Sequence, residues 1–143
     1  MITDKENTFS AAQALTATAG SDTIDTSGVG DWGIGCDGLY IVVNVDTAFT
    51  SAGSTTMTIA LQTDDNTAFS SATTLYTSAS IAKATMVAGA RLLHIPLPIG
   101  CERYIRLYYT VSVADFTAGK INAYLQVGLG SEIKVLATAV PTP

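Results

Sequence analysis

A chain of 143 residues with 48% hydrophobic content is the size of one domain with a buried core. Only 13% of residues are charged and the formal net charge is -5, so the basic stripe that a phosphate backbone requires is missing and nucleic acid is not an expected partner. A mean hydropathy of +0.34 is high for a free monomer, because apolar surface gathered in patches tends to be an interface; assembly is expected.

The opening MITDKENTFS places Asp4, Lys5 and Glu6 where a secretory leader needs apolar residues, and no apolar run approaches the ~20 residues of a membrane span. Synthesis and use without export are expected. Phe9 to Ala19 mixes alanine, which favours helix, with threonine, which favours strand, and is read as extended. Residues 1–20 are expected to form an N-terminal arm. Thr23 to Thr26 reads as a short strand leading into the glycine-rich loop SGVGDWGIG. Gly28, Gly30 and Gly33 satisfy G-x-G-x-x-G, but a dinucleotide site needs an apolar strand before the first glycine and a helix after the last. Here DTIDTS precedes and a strand follows, so a plain loop is expected and no cofactor. Trp32 sits in this loop, as a carbohydrate platform, a subunit contact or, more commonly, packing over the sandwich edge. Cys36 and Cys101 could close one long loop or sit as two small buried thiols; free thiols are favoured in a chain made in the cytoplasm.

From Leu39 onward apolar residues alternate with period two. Leu39 to Thr47 sets Leu39, Ile41, Val43 and Val45 on one face; Thr55 to Thr63 does the same with Met57, Ile59 and Leu61. The turn-like Phe49 to Ser54 between them suggests a hairpin. Asp64, Asp65 and Asn66 carry turn chemistry; their oxygens cluster at one point, whereas a calcium loop spreads its ligands around the ion, so no metal is expected. Thr73 to Thr77 and Leu92 to Leu97 are shorter strands, the latter bounded by Pro96 and Pro98. The clearest strand is Arg103 to Val113, RYIRLYYTVSV, with Ile105, Leu107, Tyr109, Val111 and Val113 on one face. After the turn Asp115 to Gly119, Lys120 to Val127 completes a second expected hairpin. The two turns are similar: Phe49, Thr50, Ala52 and Gly53 recur as Phe116, Thr117, Ala118 and Gly119. Residues 132–143 are expected to be a C-terminal arm.

About eight short strands without a convincing helix indicate an all-β protein, an antiparallel β-sandwich of jelly-roll type formed by residues 1–143 as one domain. Ile41, Val43, Ile59, Leu61, Ile105, Leu107, Val111 and Leu125 are the expected core, each contributing roughly 1.5–3 kcal/mol on burial.

No catalytic constellation is visible. His94 is the single histidine and lies within a strand, which leaves no histidine cluster for zinc and little for a triad. There is no G-x-S-x-G elbow, neither cysteine has a sequence-evident base, and no pair of carboxylates is marked out for glycoside hydrolysis. The chain is expected not to be an enzyme. Tyr104, Arg106 and Tyr108 share the polar face of the Arg103 to Val113 strand; tyrosine and arginine are the residue types that dominate interface hot spots, although a solvated outer face has the same pattern.

The phrases VDTAFT, ALQTDD, AFSSATTL, RYIRLYYTV and FTAGK, in this order along nearly the whole chain, resemble the capsid cement (decoration) proteins of tailed phages, most closely those of the Bordetella podophage group. The resemblance implies a structural protein of the virion: a jelly roll bound as a homo-oligomer, a dimer or else a trimer, to the outside of an icosahedral head of HK97-like major capsid protein, which it stabilises. No contact residue carries over from it. The expected interface therefore comes from pattern: Ile2, Phe9 and Leu15 on the N-terminal arm, Trp32, then Tyr104, Arg106 and Tyr108, and Val135, Leu136 and Val140 on the C-terminal arm. A carbohydrate- or receptor-binding jelly-roll module of a virion is the alternative.

Overall fold

A computed structural model describes residues 5–26 and 38–127. Among the described residues, a 3-10 turn at Lys5–Asn7 precedes ten strands: β1 (Thr8–Ala14), β2 (Ala19–Gly20), β3 (Ile24–Asp25), β4 (Leu39–Thr50), β5 (Thr56–Asp64), β6 (Thr73–Thr77), β7 (Ile81–Ala82), β8 (Arg91–Pro96), β9 (Tyr104–Ser112) and β10 (Ala118–Val127), with a second 3-10 turn, Lys83–Thr85, between β7 and β8. The strands pair antiparallel in two sheets, one in the order β1-β10-β4-β8 and the other β2-β9-β5-β6, with β3 beside β9 and β7 beside β5. This is the antiparallel sandwich expected from the alternation.

The period of two does its work in β5 and β9. Met57, Ile59 and Leu61 in β5, and Ile105, Leu107 and Tyr109 in β9, are fully buried, while the residues between them are half-exposed. From the other sheet Phe9, Ile41, Val43, Val45, Ile121 and Ala123 close the core, joined by Met86 and Phe116. Seven of the eight expected core residues are buried; Val111 is half-buried, because alternation fails at the end of β9, where Val113 is exposed at φ +80. Tyr109 takes its place as the last buried rung. Burial pushes its phenol above the ordinary tyrosine range. The Ser10 hydroxyl spends its one proton on Gln13 Oε1 (2.6 Å), so Tyr109 donates to Ser10 Oγ (2.9 Å), a polar tie between the two sheets.

Two sequence expectations need correcting. First, neither expected hairpin exists. β4 and β5 lie in different sheets, and so do β9 and β10; each turn carries the chain across the sandwich. β4 instead pairs with β10, and β5 with β9. The two similar turns meet: the Phe49 and Phe116 rings stand edge to face at 4.7 Å, the Thr50 and Thr117 hydroxyls are 2.8 Å apart, and the Thr117 N–H donates to the Thr50 carbonyl at 2.7 Å. Second, residues 8–14 are not a free arm. β1 is the edge strand of the four-stranded sheet, and Phe9 and Leu15, expected at an interface, are 0% and 1% exposed. A bulge in β1 shifts its register, which hides the alternation that would have marked it as a strand. The expected C-terminal arm lies outside the described residues.

Candidate functional site

Tyr104, Arg106 and Tyr108 project from the outer face of β9, as their alternation with Ile105, Leu107 and Tyr109 requires. Arg106 is held from three directions. Its guanidinium carbon lies 4.1 Å from the centre of the Phe69 ring and 5.2 Å from that of Tyr108, and its Nε donates to Gln62 Oε1 at 2.9 Å. At the end of the row the Arg103 guanidinium lies 5.1 Å from the Tyr104 ring and donates to both carboxylate oxygens of Asp25, at 3.1 and 3.2 Å. The Asp25 hydrogen bond, and then its charge, raise the Arg103 pKa.

Phe69 is the member that the sequence did not announce. It comes from the β5–β6 loop at φ +51, an uncommon conformation for a bulky side chain, and is 7% exposed. The loop is shaped by Asp64. Its Oδ2 accepts the Ser71 N–H at 2.9 Å, and its Oδ1 accepts the Ser71 hydroxyl at 3.1 Å and the Asn66 amide at 3.0 Å. Burial acts to raise the Asp64 pKa, but hydrogen bonds from Ser71, Asp65 and Asn66 outweigh it and hold the carboxyl below its ordinary range. Asp64, Asp65 and Glu102 converge within 4.8 Å, yet the Asp64 oxygens are taken up by the loop, in keeping with the turn reading of Asp64 to Asn66.

The outer face of the other sheet carries a cavity of about 510 Å³, lined by Asn44 from β4, Asn122 and Tyr124 from β10, and Thr8, Ser10 and Ala11 from β1. Nothing in the linear sequence brings these residues together, since they come from three strands.

Of the expected interface residues, the structure keeps Tyr104, Arg106 and Tyr108 together in one half-exposed row and removes Phe9 and Leu15 to the core. Ile2, Trp32, Val135, Leu136 and Val140 lie outside the described residues, as do Cys36 and the glycine loop. Cys101 donates its thiol proton to the Pro98 carbonyl at 3.4 Å. His94 lies on β8 with its Nδ1 3.3 Å from Arg91 Nη1 and its ring 5.1 Å from that of Tyr40.

A protein-family model described as Bbp16 matches residues 9–125, from the start of β1 almost to the end of β10. No curated protein matches the chain.

Proposed function

Since this chain belongs to the Bbp16 family, a phage-related family named after a Bordetella phage protein, we propose that it is a non-enzymatic capsid cement protein that binds the outer surface of an HK97-like head and stabilises it. The observation that carries the reading is the row Tyr104, Arg106 and Tyr108, set in place before any partner arrives. A long arginine side chain ordinarily forfeits rotamer freedom on binding, roughly 0.5–1.5 kcal/mol for an immobilised side chain. Arg106 has already lost it to Phe69, Gln62 and Tyr108. The row thus offers aromatic and cationic area at low entropic cost, the combination that dominates protein interfaces.

The partners are the major capsid protein and further copies of this chain. An oligomer, a dimer or a trimer, that touches several capsid subunits gains from effective concentration without a strong single site, and it ties those subunits to one another. Occupancy is on the outside of the head, after assembly in the host cytoplasm.

Co-sedimentation of the purified protein with empty expanded heads of its phage tests the proposal. Saturable binding with a raised melting temperature of the shell is expected. Arg106→Ala, with unchanged circular dichroism, is expected to raise the half-saturation concentration about tenfold or more, as loss of a hot spot does. Absence of the wild-type protein from the head pellet would overturn the reading.

A further inference from the structure

The cavity on the four-stranded sheet is on the opposite sheet from the Tyr104–Tyr108 row and is not accounted for by it. Its wall is built. β1 shifts register against β10 twice, between Thr8 and Ser10 and between Ser10 and Gln13, and Ala12 stands at φ +47. A backbone conformation of this kind persists where its surroundings hold it, and such positions gather at ligand sites. The holder here is a cavity-lining residue: Asn122 Oδ1 accepts the Ala12 N–H at 2.6 Å, while its Nδ2 reaches Asp46 Oδ1 at 3.3 Å. Beside it Asn44 Nδ2 donates to the Tyr124 hydroxyl at 3.1 Å. A phenol that accepts through its oxygen keeps its proton for another acceptor, and the Asn44 amide group keeps its second proton and its carbonyl.

The wall therefore presents amide donors and acceptors and a phenol proton beside a tyrosine ring, with Lys5 as the one charged side chain among its described lining residues. Neutral groups that donate and accept in turn, next to an aromatic surface, suit a ligand whose own groups do both and which has an apolar C–H face. A pyranose is such a ligand. The cavity volume falls within the ~300–1,000 Å³ typical of small-molecule sites. We propose that this bowl binds a neutral saccharide unit, the exposed end of a glycan. The site is independent of head binding and would give a decorated head an adhesive outer face.

The test uses the full 15N-labelled chain titrated with glucose, galactose, mannose and N-acetylglucosamine at millimolar concentrations, with a glycan array run on the same protein. Saturable shifts confined to residues 8–11, Asn44, Asn122 and Tyr124 are expected with at least one sugar. Tyr124→Phe is expected to weaken that binding about threefold to tenfold, the loss of one hydrogen bond, with an unchanged circular dichroism spectrum. A silent array together with no shift from any of the four sugars overturns the proposal, as do shifts that Tyr124→Phe leaves intact. If heads broaden these same amides while every sugar leaves them unmoved, the bowl belongs to the capsid contact and the saccharide site is refuted.

Discussion

A Cβ added at Gly119 would lie 2.2 Å from Phe49 Cδ1, at a backbone φ of +149 that side chains rarely adopt. The obstacle is a buried ring at a corner of the sandwich, so it cannot swing away as a surface side chain would. Gly119→Ala is expected to cost about 2–3 kcal/mol in urea unfolding, whereas Gly53→Ala, in the matching turn with nothing within 4 Å of its Cβ, is expected to stay within about 0.5 kcal/mol. Asp64 sets a pH dependence. Its folded pKa is depressed below the unfolded value of ~3.9, so its contribution to stability is present above that value and is lost as pH falls through the folded pKa. Thermal melting is therefore expected to be insensitive to this group between about pH 7 and pH 5 and to decline below about pH 4. Asp64→Asn is expected to lower the melting point at neutral pH and to flatten the acid limb. A wild-type acid limb that the variant reproduces would show that other carboxylates set it.

At the scale of the elements, the sequence made the strands legible but not their partners. Alternation in β4, β5, β9 and β10 reports which face is buried, and it reads the same whether the next strand lies beside the first or across the core. The turns at Phe49 and Phe116 resemble each other because both cross the core at one end and dock on each other, a cause invisible until the pairing of β4 with β10 and of β5 with β9 is known. A double-mutant cycle of Phe49→Leu and Phe116→Leu is expected to give a coupling of about 0.5–1.5 kcal/mol; additive losses would mean that the rings merely share a neighbourhood. The same limit applies to the candidate site. Tyr104, Arg106 and Tyr108 were legible because a strand displays every second residue on one face. Phe69 was not, because it arrives from a loop whose course is set by hydrogen bonds to Asp64. Phe9 and Leu15 misled because the β1 bulge interrupts the alternation that would have identified them as core.

For the whole molecule, the scarcity of charge bears on how a head would be held. With 13% charged residues and a net charge of -5, long-range attraction to a head surface would contribute little. Head binding by the proposed route is expected to change less than about twofold between about 50 mM and 0.5 M NaCl, over which the screening length shrinks severalfold; a steep decline would point to a contact made by ion pairs. The exchange of strands at the two corners reaches further, into how the chain comes into being. The middle of one sheet is β10 against β4, and the middle of the other is β9 against β5, so each sheet waits for a strand from the last part of the described chain. Ala12 and Asn122, joined by a hydrogen bond, stand 110 positions apart. Contacts this distant require long loops to close before they return any stability, which slows folding. On the ribosome, then, neither sheet can settle early: translation must deliver β9 before one sheet has its middle and β10 before the other does, and until then β4 and β5 each keep one edge open, and β1 has no partner, in need of protection from one another's copies.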